Sequence, residues 1–389
     1  PGNKRAKPAR ARTLRSSDWG GASPLFAGLL LLLALASPAL RAPTNVIMTG
    51  SGAPGSEIRP FSLLALGAER MLAPGNQPAA WPGYPRATEA PADTPGPLAS
   101  LIAVPAIALG EPVLAWNITV VLIPWLTFLV MFLLCRICTE DPIAAAIAGL
   151  GYVLQPAILL EPTATFLLLS PLLPASIIGT GGLMTGSPRQ AFALLVGVAI
   201  ALGLAPLPIA CASVAAGGLV VLHLRPADRT TAGKIMGCLA FFLILKFLFN
   251  PQLLLPAKPL AFAANELRHF LPGGLAGPGL LLTGLALIGI VDRATGPRSG
   301  PARDPRVLLF GTLVAVPFLV ADHLSIGDGT RLTLLGGWLG ARYPVVESLR
   351  DSLRLLLPLS WSLLAAFGGL AIFERVGATV ARRTLAAVL

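Results

Sequence analysis

Two arginines four residues apart form the clearest chemical feature of the sequence, in Arg350-Asp-Ser-Leu-Arg354. In a helix this spacing places both guanidinium groups on one face. Because arginine can bind phosphate through two parallel hydrogen bonds, such a pair at a membrane surface could bind a lipid phosphate. The simpler alternative is an interfacial anchor at a helix end, and the residue types alone favour that alternative.

The cysteines and histidines give weaker signals. Cys135-Arg-Ile-Cys138 has the spacing of redox and zinc sites, but Cys211 and Cys238 are distant in sequence, and zinc requires four ligands. A structural role is therefore predicted for these cysteines, and no metal site is predicted from them. The three histidines are isolated and match no metal or haem motif, which leaves open only a single axial ligand to a haem or pigment. They are His223, His269 and His323.

The composition limits the class of protein. Of the 389 residues, 54% are hydrophobic and 12% are charged, whereas soluble domains have about 25% charged residues. Mean hydropathy is +0.76, which predicts a membrane protein. The net charge of +11 is accompanied by no nucleic-acid motif and no basic stretch interleaved with aromatic residues, so no nucleic-acid partner is expected. Such an excess is normal for cytoplasmic loops, where Lys and Arg determine topology.

Apolar segments divide the chain into about ten predicted transmembrane helices, each close to the length that crosses some 30 Å of hydrocarbon. The first, at 24–41, follows a basic tail and also resembles a secretory signal; we expect it to remain uncleaved. Residues 98–110 are too short to cross and are predicted to be interfacial. Asn117-Ile-Thr119 has the glycosylation pattern but falls inside a predicted span. The nine later spans lie near 113–135, 143–160, 163–182, 190–207, 209–224, 235–250, 276–291, 306–322 and 354–373.

Lys and Arg are concentrated in the segments that share a side with the N-terminus, so the predicted topology has both termini in the cytoplasm of a bacterial inner membrane. The predicted fold class is thus an all-α polytopic membrane protein with long extracytoplasmic loops. Its predicted parts are a cytoplasmic tail at 1–23, the first span at 24–41, a Pro/Gly-rich outer loop at 42–112 with a short helix near 60–72, a nine-helix bundle at 113–373 with outer loops at 251–275 and 323–353, and a cytoplasmic tail at 374–389.

Several segments, taken in order, resemble the membrane half of C-type glycosyltransferases that use polyprenyl-phosphate sugars. The resemblance covers most of residues 55–375. It rests on Gly55-Ser-Glu57, Gly110-Glu-Pro-Val-Leu-Ala-Trp-Asn117, the stretch from Cys138 to Tyr152, Gln155-Pro156, Pro171-Leu-Leu-Pro174, Ser187-Pro-Arg189, Phe270-Leu-Pro272 and Ser348-Leu-Arg-Asp-Ser-Leu-Arg354.

The resemblance implies a site facing the periplasm, where a carboxylate removes a proton from the acceptor and cations stabilise the leaving phosphate. The family's aspartate directly after the first glycine is Ser56 here, with Glu57 next to it. Glu57 would then be the base, Asp93 a helper or metal ligand, and Arg350 and Arg354 the phosphate-binding pair. A divalent metal is expected only if the transferase is active.

Two departures count against catalysis: the displaced carboxylate, and the short chain after the last span compared with many such transferases. The favoured interpretation is a catalytically degenerate scaffold or accessory subunit that binds lipid and other membrane subunits. The alternative is an active transferase that moves a sugar from a polyprenyl-phosphate donor to an extracytoplasmic acceptor. A secondary transporter ranks third, because the sequence shows no repeated pair of broken apolar segments.

Overall fold

The structure is a computed structural model. It describes residues 23–45, 58–72, 97–155, 171–186, 188–205, 207–224, 229–249, 266–271, 278–295, 305–326, 330–342 and 352–376.

The described residues are mostly helical, as the sequence predicts. Each apolar segment of the predicted bundle contains a helix, and the predicted short helix near 60–72 and the interfacial piece at 98–110 are helical as well. The first half of the chain forms α1 (Ser23–Leu35), α2 (Ser37–Arg41), α3 (Ile58–Leu72), α4 (Pro97–Ala108), α5 (Pro112–Thr139), α6 (Pro142–Val153) and α7 (Leu172–Thr185).

The second half adds further helices and one small sheet. A 3-10 turn at Leu267–Phe270 precedes the helices that pack around the C-terminal part of the bundle. The elements are α8 (Pro188–Leu204), α9 (Leu207–His223), α10 (Arg229–Phe249), α11 (Leu280–Thr295), α12 (Pro305–Val320), β1 (His323–Ile326), β2 (Thr330–Thr333), α13 (Leu335–Arg342) and α14 (Leu356–Val376).

The sheet is a feature that the all-α prediction lacks. Strands β1 and β2 pair antiparallel, with His323 opposite Thr333 and Ile326 opposite Thr330. They lie in the segment predicted as an outer loop at 323–353, which also contains α13. The short polar and β-branched runs on either side of Gly327-Asp-Gly329 fit a hairpin, although they are too brief to stand out from loop sequence.

Two helices are long and apolar enough to cross a membrane: Pro112–Thr139 and Ser352–Arg375. At 1.5 Å per residue, the 28 residues of α5 span about 42 Å. The other helices of the predicted bundle are shorter within the described residues, so the ten-span topology stays a prediction. The first predicted span is divided at Ala36 into α1 and α2, because Pro38 lacks the N–H that would continue the helix.

A tight turn joins α5 to α6. The backbone N–H of Glu140, which has a left-handed φ of 57°, donates to the carbonyl of Arg136. The carboxylate of Asp141 then accepts from the backbone N–H groups of Ile143 and Ala144, which caps α6. The two helices therefore run antiparallel, with Gly149 of α6 beside Phe128 near the middle of α5.

Helix α14 lies at the centre of the packing, and 83% of its most apolar stretch is buried. It contacts α6, α11 and α12. At the end of α6, the side-chain amide of Gln155 donates to the carbonyl of Pro358 (3.0 Å) and to Oγ of Ser362 (3.2 Å). These bonds place the beginning of α14 beside the end of α6.

Polar side chains within the apolar helices find local partners. Thr119, Thr127 and Thr139 each donate to the carbonyl four residues earlier at 2.8 Å, which satisfies hydroxyl groups where water is absent. Asn117 is 4% exposed, and its amide donates to the carbonyl of Pro43 at 2.8 Å. This bond ties the beginning of α5 to the segment that follows α2.

Candidate functional site

Arg354 is the one member of the predicted site that lies in the described part of the chain. Glu57, Asp93 and Arg350 fall outside the described residues. Their grouping with Arg354 therefore remains a prediction from the sequence and from the resemblance. The surroundings of Arg354, and the other charged groups that the fold brings together, define what the described residues can do.

Arg354 lies just before α14 and is only 9% exposed. Its guanidinium carbon lies 5.6 Å from the ring centroid of Phe270, at the end of the 3-10 turn. A guanidinium at that distance is attracted by the negative face of the ring. The contact therefore ties the start of α14 to the segment that precedes α11, and the arginine is held against a ring rather than displayed on a surface.

A small apolar cluster surrounds this contact, and we call it the capping cluster. It brings together the 3-10 turn, the end of α12, the residue before α13 and the start of α14. Because its members come from both predicted outer loops at 251–275 and 323–353, burial of their apolar surface holds those segments together. The capping cluster consists of Leu267, Phe270, Val316, Val320, Ala321, Leu334 and Leu357.

Glu266 connects the same two segments through polar groups. It forms an isolated parallel β-bridge with His323, and its carboxylate accepts from Nε of Arg268. Partial desolvation acts to raise the pKa of Glu266, but hydrogen bonds from Ser325 and Arg268, with the charge of Arg268, outweigh it and lower the pKa below the usual glutamate value. The carboxylate is thus held in its ionised form.

The described helices of the first predicted outer loop, α3 and α4, pack at the beginning of α5. The ring of Phe61 on α3 meets the ring of Trp116 on α5 edge-on, with centroids 6.0 Å apart. Helix α4 packs against both α3 and α5, and the approach at Gly67 leaves no room for a side chain beside Ser100. Helices α3 and α4 therefore pack at the beginning of α5, whereas the capping cluster joins described parts of the other two predicted outer loops at the beginning of α14.

A second charged group lies at the opposite end of the bundle. The carboxylate of Asp292 on α11 accepts from Arg306 on α12 at 3.1 Å and from Arg375 on α14 at 2.8 Å. The guanidinium of Arg306 also donates to the carbonyl of Gly289 and lies 4.9 Å from the ring centroid of Phe367. We call Asp292, Arg306 and Arg375 the ionic cluster. No sequence motif marks it, because its members are distant in the chain.

The structural role predicted for the cysteines stays a prediction. All four are free thiols, with Cys135 buried and Cys138 exposed on α5. Within the described residues, no group of three or more His, Cys, Asp and Glu side chains is arranged to hold a metal ion.

A search of protein families, of curated proteins and of solved structures finds no match to this chain.

The contact between Arg354 and Phe270 gives a stability prediction. Arg354→Gln is expected to lower the free energy of unfolding in detergent by about 1–2 kcal/mol, because a desolvated cation–π contact of this kind is lost. In a double-mutant cycle with Phe270→Leu, measured by chemical denaturation, a coupling near 1 kcal/mol is expected. Additive effects of the two changes would show that the ring and the guanidinium do not interact.

The lowered pKa of Glu266 gives a pH prediction. A carboxylate whose pKa is lower in the folded protein stabilises the fold above its unfolded pKa, and this stabilisation disappears as pH falls through the folded value. The thermal midpoint of the unchanged protein should therefore fall relative to that of Glu266→Gln below about pH 4.3. Ser325→Ala, which removes one of the hydrogen bonds that lower the pKa of Glu266, should show a smaller fall in thermal midpoint with acid than the unchanged protein. Parallel pH profiles for the unchanged protein and Glu266→Gln would contradict the assignment.

Proposed function

We propose that this protein is a multi-pass membrane protein with a fold like that of C-type glycosyltransferases, and that it acts as a non-catalytic scaffold or accessory subunit of a larger membrane complex. The observation that supports this most directly is the engagement of Arg354. The side chain of Arg354, which the sequence predicts to bind a lipid phosphate, is instead buried against Phe270. There Arg354 joins two segments of its own chain.

The exposed surface supports a membrane location beyond the two long helices. Helices α11 and α12 display large apolar side chains at helical spacing, and Leu280 and Leu281 are 79% and 77% exposed. Water-soluble proteins rarely leave contiguous apolar stripes of this kind uncovered, whereas lipid chains cover them without cost. The stripes consist of Leu280, Leu281, Leu287, Ile288 and Val291 on α11, and of Val307, Phe310, Val314 and Phe318 on α12.

Three carboxylates among the described residues are engaged in structural contacts, which fits the non-catalytic proposal. Asp141 caps a helix, Asp292 binds two arginines, and Glu266 accepts from Arg268. General-base catalysis requires a carboxylate that can reach a substrate proton. Each of these three carboxylates is instead committed to a structural contact. The transferase alternative depends on Glu57 and Asp93, which lie outside the described residues.

Membrane topology can be tested with single cysteines on a background without native cysteines. Ile326 in β1 and Glu374 near the end of α14 are both exposed, at opposite ends of the bundle. In intact cells a membrane-impermeant maleimide should label Ile326→Cys at once and Glu374→Cys only after permeabilisation. The reverse pattern would overturn the orientation with cytoplasmic termini, and labelling of both sites from outside would overturn the even number of spans.

Catalysis can be tested by incubating the purified protein with polyprenyl-phosphate sugars and measuring release of the lipid phosphate. The scaffold proposal expects no turnover, together with co-purification of other membrane subunits in fixed stoichiometry. Glu69→Gln, which alters an exposed carboxylate on α3, serves as the matched control. Turnover that Glu57→Gln abolishes and Glu69→Gln retains would establish the transferase and reject the scaffold.

A further inference from the structure

We infer that the ionic cluster is the headgroup part of a binding site for an anionic phospholipid in the cytoplasmic leaflet. This inference rests on the proposed membrane topology. The site lies where the last turns of α11 and α14 meet the first turn of α12. The acyl chains of the lipid would lie along the seam between α11 and α12.

The first support is the charge at this end of the bundle. Two guanidinium groups share the one carboxylate of Asp292, which leaves the three side chains with a net positive charge. Basic sites between helices at the cytoplasmic face bind anionic headgroups. The sequence around them adds to this excess, with seven arginines against three acidic residues: Arg293, Arg298, Arg303, Arg306, Arg375, Arg382 and Arg383 against Asp292, Asp304 and Glu374.

The second support is accessibility. The side chain of Arg375 is 60% exposed while one of its nitrogens bonds to Asp292 at 2.8 Å. Arg306 is 20% exposed and is held by Asp292, by the carbonyl of Gly289 and by the ring of Phe367. One arginine is therefore fixed in place and the other lies open at the surface. Such a pair suits a phosphate that contacts both guanidinium groups.

The third support is the apolar surface that begins at the cluster. Ile288 is one turn before Asp292 on α11, and Phe310 is one turn after Arg306 on α12, so each lies on the same helix face as its charged neighbour. They are 37% and 47% exposed. Both helices pack mainly on α14 rather than on each other. An apolar seam thus extends along α11 and α12 from the ionic cluster. This arrangement matches a lipid with an anionic headgroup and apolar chains, and it is less suited to a soluble anion.

The test uses native mass spectrometry of the full chain in detergent with equal amounts of phosphatidylglycerol and phosphatidylcholine. The unchanged protein should retain phosphatidylglycerol in preference. Arg375→Gln should weaken that preference about fivefold, since one basic residue near a membrane surface contributes about 1 kcal/mol. Arg375→Lys should keep most of the preference. Lys234→Gln, which removes an exposed cation on α10, is the matched control and should have no effect.

A second variant keeps the test decisive if Arg375→Gln does not fold. Glu374 is exposed beside Arg375, so Glu374→Gln should bind phosphatidylglycerol about fivefold more tightly by the same charge argument. Glycerol 3-phosphate at the same concentration should not displace the lipid, because it lacks acyl chains. Full displacement would reduce the site to a phosphate site and overturn the lipid assignment. Equal losses in Arg375→Gln and Lys234→Gln would overturn the proposal in favour of diffuse attraction.

Failure of this inference can be told apart from failure of the proposed membrane location. If the protein reconstitutes into phosphatidylcholine vesicles and resists alkaline extraction but shows no preference for phosphatidylglycerol, the lipid site is wrong and the membrane location stands. If the protein does not enter vesicles of phosphatidylcholine and phosphatidylglycerol, both proposals are wrong.

Discussion

Replacing Gly368 with leucine is expected to prevent the C-terminal helices from packing, with a loss of more than about 3 kcal/mol of folding free energy. Any Cβ at this position on α14 would overlap the carbonyl oxygen of Leu285 on α11. The reciprocal position is also too close for a side chain, because a Cβ on Gly289 would lie 2.5 Å from the carbonyl oxygen of Leu364. The backbones themselves touch, as small residues allow in membrane helix pairs.

The measurement is the yield of monodisperse protein and its thermal midpoint in detergent. Gly284→Leu on α11 is the matched control, since a Cβ at that position would have no neighbouring atom within 4 Å, and it should behave much like the unchanged protein. A Gly368→Leu variant with an unchanged midpoint would show that α11 and α14 do not approach at this point.

Phe128→Ala is expected to remove about 3–5 kcal/mol of stability, the usual cost of deleting a fully buried phenylalanine. Phe128 on α5 is 0% exposed. Its ring fills the space beside Gly28 on α1, where a Cβ would clash with it, and beside Gly149 on α6, where a Cβ would lie 3.0 Å away. One side chain therefore holds three helices in register, and its loss leaves a cavity that glycines cannot fill.

The test is chemical denaturation of Phe128→Ala beside Phe192→Ala. Phe192 on α8 is 60% exposed, so its truncation should change stability by less than about 0.5 kcal/mol. Comparable losses in the two variants would contradict the arrangement of α1, α5 and α6 around Phe128.

The helices were predictable from hydropathy. A long apolar segment avoids water, so its backbone N–H and C=O groups must bond to each other, and a helix achieves this. Each predicted apolar segment of the bundle contains a helix. Helix α6 begins at Pro142, next to the predicted span near 143–160, because Asp141 caps it and proline suits the first helical position. Helix lengths were less predictable. Pro38 divides the first segment, and α6 ends at Val153 although the apolar pattern continues to 160. The number of membrane crossings accordingly stays a prediction.

The surroundings of Arg354 were not predictable from spacing. The four-residue separation pairs Arg354 with Arg350 in the sequence, but the described partner of Arg354 is Phe270, from a distant segment. The ionic cluster illustrates the same point, since Asp292 and Arg375 are 83 residues apart in the chain. Such contacts depend on which helices become neighbours, and hydropathy identifies helices without identifying their neighbours.

The central position of α14 has a consequence for biosynthesis. Among the described helices it is the last to leave the ribosome, yet α6, α11 and α12 all rest against it. Until it is made, Gly289 on α11 lacks the neighbouring backbone that fits it, and Asp292 lacks its bond from Arg375. Ribosome stalling or premature termination before residue 352 should therefore yield a product that quality-control proteases remove quickly, even though most of the polypeptide has been made.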